Sequence, residues 1–178
     1  MSKLFIIVIL LFNAVCTLNA QKLIENKFDE FEKIHIKKTS WCALMKRPGS
    51  ARPYRAEFQL CKKDTLVYLK VKMMLNNEIY SINKGDKISF LLDNENVVSL
   101  YCNQYVITGY GDGAVGYGGS ENYGTEANYI VTKENIQNLL SGIIKTIRIE
   151  TSIGYIDEMD KRKVDLHFKK CIELITIE

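Results

Sequence analysis

Residues 129–151, which read YIVTKENIQNLLSGIIKTIRIET, constrain the fold more than any other stretch. The pattern indicates the end of a strand, a short helix and a second strand. Thr132 is a suitable N-cap because its hydroxyl can accept a hydrogen bond from the first helical turn. Glu134 lies where a negative charge favours the positive end of the helix. One apolar stripe follows at i, i+3, i+4 spacing, formed by Ile136, Leu139 and Leu140.

Gly142 then ends the helical pattern, and we predict that it forms a left-handed C-cap. Residues 143–151 alternate between apolar and polar side chains, as a strand does. The sequence therefore predicts a helix at about 133–141 between two strands. No residue in this stretch forms a catalytic motif, so it informs architecture and not activity.

Alternating runs recur along most of the remaining chain. Residues 55–61 and 65–75 alternate and are separated by a three-residue polar turn, which predicts a hairpin. Residues 87–92 and 97–101 form a second pair of the same kind. Short strands at this spacing are typical of an antiparallel sandwich or roll.

The N-terminal part fits this pattern less well. Residues 21–32 are polar with scattered apolar side chains, so we expect an ill-defined arm along the surface. Residues 34–45 alternate only if their parity changes near residues 39–40, which a β-bulge would achieve.

Residues 160–175 have the periodicity of an amphipathic helix. Its apolar side is formed by Val164, Phe168, Cys171, Ile172 and Ile175. The predicted fold class is α+β, predominantly β. It is an antiparallel β-sandwich or roll with one short helix (about 133–141) and a C-terminal amphipathic helix (about 160–175).

Residues 1–20 have the features of a signal peptide. Lys3 provides a positive start, residues 4–12 form an apolar run, and Ala20 is a small residue at the expected cleavage point. Nine apolar residues are too few to cross a bilayer, which requires about 20. We therefore predict a signal peptide at 1–20 and a single β-rich domain at 21–178. The protein is expected to be secreted or periplasmic, with no membrane insertion after cleavage.

The charge balance argues against nucleic acid as a partner. Removal of residues 1–20 takes away one cation, Lys3, and changes the formal net charge from +3 to +2. Most of the lysines are scattered along the chain and do not form a basic stripe.

Four cysteines remain after the predicted cleavage, namely Cys42, Cys61, Cys102 and Cys171. An even number in an oxidising compartment permits two disulfides, with three connectivities. A zinc site is not predicted, because there is no CxxC motif and the two histidines are far apart in sequence. Cys102 and Cys171 lie on apolar faces, so they are candidates for one disulfide or for free buried thiols. We favour free buried thiols or a single bridge.

Residues 108–128 form a region rich in glycine and tyrosine. It holds seven of the eleven glycines and has no helical or strand periodicity. Loops of this length are usually functional or disordered. Because tyrosine offers a flat amphipathic contact, Tyr110, Tyr117 and Tyr123 are the candidate ligand-contact residues.

Two other interpretations of this region have weaker support. Residues 111–116 match GxGxxG, but a dinucleotide site needs a helix directly after the glycines, and none is predicted. Asp112, Glu121 and Glu126 could supply oxygen ligands to calcium, but their spacing is not that of an EF-hand. No cofactor and no metal site is predicted.

No catalytic residue can be assigned. Neither His35 nor His167 has a recognisable serine or cysteine partner motif. The two carboxylates of a glycosidase need not be close in sequence, so a hydrolase remains an alternative. Trp41 is interpreted as a core residue, with a carbohydrate platform as the alternative.

SINKGDKISFLL at residues 81–92, together with residues 129–151, resembles small secreted β-rich proteins of Bacteroidota-type bacteria. The resemblance implies export and a β-rich fold, and it carries no activity and no site residue. We therefore expect an exported, non-enzymatic binding or structural module of the periplasm or cell surface. Its partner would be a protein or glycan of the cell envelope. The alternative is a cell-envelope hydrolase with a carboxylate site.

Overall fold

A computed structural model describes residues 21–46, 54–111, 122–159 and 162–176 of the chain. Most of these residues lie in β-strands, and the rest include two helices. The elements are β1 (Leu23–Asp29), β2 (Ile34–Thr39), β3 (Cys42–Lys46), β4 (Tyr54–Lys63), β5 (Leu66–Leu75), β6 (Ser81–Ile82), β7 (Lys87–Leu92), β8 (Val97–Cys102), β9 (Val106–Ile107), β10 (Gly109–Tyr110), β11 (Tyr123–Val131), α1 (Lys133–Leu140), β12 (Ile144–Thr151), β13 (Gly154–Met159) and α2 (Arg162–Thr176).

One large antiparallel sheet has the strand order β1-β2-β4-β5-β11-β8-β7-β12-β13. β3 pairs with β4 and β10 pairs with β11 beside this path, while β6 and β9 form a separate two-stranded sheet. The order leaves β1 and β13 as edges, so the large sheet is open. The predicted class, α+β with predominantly antiparallel β structure, is confirmed.

The predicted hairpin of β4 and β5 lies near the middle of this sheet. Its turn is residues 64–65 and not the expected three residues 62–64, because Lys62 and Lys63 extend β4. Its register runs without a shift from Tyr54 opposite Leu75 to Lys63 opposite Leu66. Phe58 and Leu60 are buried, as their alternation predicts. Asp64 adopts a positive φ of 50° in the turn, a conformation that aspartate tolerates better than most residues. Local sequence is therefore enough to specify this hairpin.

Helix α2 packs against strands from both parts of the large sheet. It contacts β2, β3 and β4, near one end of the strand order, and also β12, near the other end. Its Phe168 ring lies 4.9 Å from Phe58 and 5.2 Å from Phe90, centroid to centroid. The predicted amphipathic helix is confirmed, and its five apolar residues are all buried. Both halves of the sheet thus share one apolar helix.

Helix α1 begins as the sequence predicts. The backbone N–H of Asn135 donates to the Thr132 hydroxyl at 3.1 Å, and the backbone N–H of Thr132 donates to the Asn135 side chain at 2.9 Å. This reciprocal pair is a capping box that satisfies two otherwise free donors. Of the predicted stripe, Leu139 is buried and Ile136 is partly buried, whereas Leu140 is exposed.

The predicted left-handed C-cap at Gly142 is wrong. Among the described glycines, positive φ occurs at Gly85, Gly111 and Gly154, and Ser141 ends the helix in a right-handed conformation. The glycine is needed for another reason. A Cβ on Gly142 would lie 2.8 Å from the Asp93 carboxylate oxygen and 3.1 Å from the Leu92 Cβ. Close approach of the β7–β8 turn, and not backbone twist, therefore explains this residue.

Two N-terminal predictions also require correction. Residues 23–29 form strand β1, paired with β2, and not a surface arm. The expected bulge near residues 39–40 is instead a break between β2 and β3, which both pair with the ten-residue β4. β1 is an edge strand with little buried apolar area, so its sequence lacks a clear alternation.

Candidate functional site at the base of the glycine and tyrosine region

The glycine and tyrosine region contains more strand than its sequence predicts. Residues 123–128 belong to β11, which pairs with β5 in the middle of the large sheet. The inward positions at this end of β11 are small, with Thr125 and Ala127 both buried. A hydrophobicity pattern does not recognise small residues such as these as buried strand positions. This explains why the sequence predicts a loop at residues 123–128.

Two of the three candidate tyrosines are neighbours across a short strand pair. Tyr110 lies opposite Tyr123 in the pairing of β10 with β11. Their ring centroids are 5.6 Å apart and their planes meet at 74°, an edge-to-face arrangement. Tyr110 is 63% exposed and Tyr123 is half-buried. Tyr117, Asp112 and Glu121 lie in 112–121, outside the described residues.

Backbone hydrogen bonds hold this tyrosine pair in place. The N–H of Tyr123 donates to the Asn77 side-chain oxygen at 2.6 Å, and the N–H of Gly111 donates to the Asn122 carbonyl at 3.0 Å. Asn77 and Gly111 both adopt positive φ, at 63° and 83°. The turn after β5 is thereby tied to the start of β11. A partner would meet side chains whose backbone is already ordered.

Further apolar side chains are exposed on the segments that lead into β10. Tyr80 and Thr108 exchange two hydrogen bonds, at 2.9 and 3.1 Å, and both are buried. Ile79 and Ile107, which directly precede these two residues, are more than half exposed, and so is Tyr105 just before β9. We use the name aromatic surface for Ile79, Tyr105, Ile107, Tyr110 and Tyr123. Exposed large apolar residues concentrated in one region are characteristic of interaction sites.

The two cysteines considered as a pair from sequence, Cys102 and Cys171, each contact another group in the structure. The Cys102 thiol donates to the Gln104 carbonyl at 3.1 Å, whereas the Cys171 sulfur lies 3.7 Å from Cys42. All four described cysteines are buried free thiols. Face parity places Cys102 and Cys171 inward correctly, but it does not reveal which inward cysteines are neighbours.

The two histidines lie in different surroundings. His35 is exposed, with its ring 5.0 Å from Phe28. Burial lowers the pKa of His167, with a further contribution from nearby Lys163, and its buried Nδ1 has no hydrogen-bond partner within the described part of the chain. Trp41 is only partly buried, and the Lys72 ammonium lies 4.3 Å from its ring centroid. The indole face is thus in contact with a protein cation.

Many of the described carboxylates form ion pairs with lysine or arginine. They are Glu25, Glu57, Glu126, Glu150, Asp157, Asp165 and Glu173. Of the residues in the calcium interpretation, Glu126 pairs with Lys70, while Asp112 and Glu121 lie outside the described residues. Over the ranges that the structure describes, no cluster of three or more histidine, cysteine or acidic residues could hold a metal ion.

Comparison of the chain with protein-family models, with curated proteins and with solved structures found no match. The resemblance to secreted Bacteroidota-type proteins therefore rests on residues 81–92 and 129–151 alone. Neither helix in the described part of the chain is long and apolar enough to cross a membrane.

Proposed function

We propose that this protein is an exported, non-enzymatic binding module of the periplasm or cell surface, and that the aromatic surface contacts its partner. The observation that carries the proposal is the edge-to-face pair of Tyr110 and Tyr123, in which Tyr110 is exposed while backbone hydrogen bonds hold the strand pair beneath it. The export part of the proposal is supported by the signal-peptide features of residues 1–20.

The chemistry of the aromatic surface fits a protein or a glycan of the cell envelope. Tyrosine combines a large apolar ring with a hydroxyl that can donate or accept, and it loses little conformational entropy when it is fixed. The Asn77 side chain already accepts the backbone N–H of Tyr123, so this backbone is fixed before binding. The loss of conformational entropy on binding is therefore smaller. Tyr110 is the most exposed aromatic residue of this surface and is the expected anchor.

Two surface carboxylates, Glu25 and Asp157, do not suit the general acid that the alternative, a cell-envelope hydrolase, would need. A general acid in a glycosidase needs a raised pKa. Hydrogen bonds from Arg148 lower the pKa of Asp157, and hydrogen bonds from Lys38 and Lys27 lower the pKa of Glu25. Both carboxyl groups therefore favour the charged form, which suits surface ion pairs.

The variant Tyr110→Ser tests the proposal. We expect it to reduce capture of the partner from cell-envelope extract by about tenfold or more. An aromatic anchor that becomes buried on binding supplies a large share of the binding energy. Capture would be measured with immobilised protein, and the retained proteins and glycans would be quantified against the unsubstituted chain.

Tyr101→Ser is the matched control, because Tyr101 is a similarly exposed tyrosine (56%) on β8, outside the aromatic surface. Circular dichroism would verify that both variants are folded. Equal capture by Tyr110→Ser and the unsubstituted protein, with both folded, would refute a role for this surface.

A further inference from the structure

Two buried cysteine thiols meet where helix α2 packs on strand β3. Cys42 is the first residue of β3 and Cys171 lies in α2, 129 positions further along the chain. Their sulfur atoms are 3.7 Å apart, and both residues are almost completely buried. No neighbouring motif in the sequence predicts this contact.

The two thiols differ in their surroundings. The Cys42 thiol also lies 3.0 Å from the Gln21 side-chain oxygen and 3.4 Å from the Ser40 carbonyl, both of which are acceptors. The contact with Cys42 lowers the pKa of Cys171, and the same contact raises the pKa of Cys42. The thiolate is the form that attacks a disulfide, and each of these two sulfurs has the other as its nearest thiol partner.

We propose that Cys42 and Cys171 are a disulfide-forming site that links helix α2 to strand β3. The oxidant is a disulfide, RSSR, either a small molecule or a thiol–disulfide oxidoreductase. Both sulfurs are buried in the folded protein, so the reaction occurs while α2 is not yet docked on β3. The Cys171 thiolate then attacks one sulfur of RSSR and releases RS⁻. The Cys42 sulfur then attacks the sulfur of Cys171 in this mixed disulfide and releases the second RS⁻. The two cysteines lose two electrons and two protons, and RSSR is reduced to two RSH.

The geometry favours this pair over the other cysteines. The sulfurs need only approach from 3.7 Å to about 2.0 Å. Cys61 instead contacts the Gln59 side chain, and burial raises the pKa of Cys61 to about 11. Cys102 donates to a backbone carbonyl. The structure therefore predicts one bridge and two remaining thiols.

The bridge would link β3 covalently to helix α2, which contacts both halves of the large sheet. A link between positions 129 residues apart removes many conformations from the unfolded chain, so it is expected to stabilise the fold. The geometry is independent of the aromatic surface. Only the supply of oxidant in the cell rests on the proposed export.

The test is refolding of the reduced, unfolded protein in the presence of oxidised glutathione, followed by alkylation of the remaining thiols in denaturant and peptide mapping without reductant. We expect a peptide containing Cys42 to be linked to one containing Cys171, while Cys61 and Cys102 are alkylated. The melting temperature should rise by roughly 10 °C and return to its initial value with reductant. Cys42→Ser should abolish the link, and the matched variant Cys102→Ser should retain it.

Any of three results would overturn the site. They are separate alkylation of Cys42 and Cys171, a persistent glutathione adduct on either of them, and a bridge from either to Cys61 or Cys102. The map of the unsubstituted protein decides this even if a variant fails to fold. The same map on protein isolated from cells distinguishes the two proposals. A bridge that forms with glutathione but is reduced in protein from cells would contradict export and leave the site supported.

Discussion

The variant Phe168→Ala is expected to lower the free energy of unfolding by about 3–5 kcal/mol, the range for removal of a buried aromatic ring. Phe168 is 1% exposed and packs on Phe58 and Phe90, which lie on different parts of the large sheet. Its removal would leave a cavity where the two halves of the sheet meet the helix. Urea unfolding followed by circular dichroism measures the change.

Leu166→Ala is the control on the same helix. Leu166 is 68% exposed, so its truncation should change the free energy of unfolding by no more than about 0.5 kcal/mol. A decrease in the free energy of unfolding below about 1 kcal/mol for Phe168→Ala would contradict the central position of α2. Removal of a ring that is packed between two parts of the sheet should destabilise the protein by more than that.

The second large effect is expected at Asp165, whose replacement by alanine should cost about 2–3 kcal/mol of stability. Its carboxylate is buried, accepts the backbone N–H of Ile144 at 3.1 Å and pairs with Lys169 at 3.1 Å. Alanine would leave the Ile144 N–H buried without an acceptor at the start of β12. Chemical denaturation at neutral pH provides the measurement.

Asp165→Asn separates the hydrogen bond from the charge, because an amide oxygen can still accept from Ile144. We expect it to be less destabilising than Asp165→Ala. Glu173→Ala is the surface control, since its ion pair with Lys170 is largely exposed and should be worth less than about 1 kcal/mol. If Asp165→Ala were as mild as Glu173→Ala, the carboxylate would have no structural role in joining α2 to β12.

Elements with strong local signals could be predicted from the sequence. The β4–β5 hairpin, the capped start of α1 and the apolar face of α2 all follow from residues close together in the chain. Turn chemistry, capping and periodicity act over a few residues, and in these places they agree with the tertiary structure.

Features that depend on distant residues could not be predicted in the same way. β11 is stabilised by pairing with β5, whose partner residues lie 52 (Thr125 and Met73) to 64 (Val131 and Val67) positions earlier. The small inward side chains of β11 give little periodicity. Gly142 is explained by its contact with Asp93 and Leu92. The meeting of Cys42 with Cys171 depends on how α2 docks on the sheet.

The candidate site was predicted in part. Tyr110 and Tyr123 were identified from composition, but their direct pairing required the register of β10 with β11. Ile79, Tyr105 and Ile107 were not predicted. A partial signal was present for Ile79 and Ile107, because each precedes a residue that is buried, Tyr80 or Thr108, and alternation then places it outward.

The proposed function depends on one surface being in contact with a partner, and a photocrosslinking side chain tests this most directly. The photoreactive residue p-benzoylphenylalanine would replace Tyr110 in one variant and Tyr101 in another. Both positions are more than half exposed, so a random collision would label them alike. After irradiation in the cell envelope, adducts would be resolved by size and identified by mass spectrometry.

We predict a discrete adduct from position 110 and none from position 101. Equal adducts from both positions, or none from position 110 while the protein is folded and exported, would contradict the proposal that the aromatic surface binds a partner.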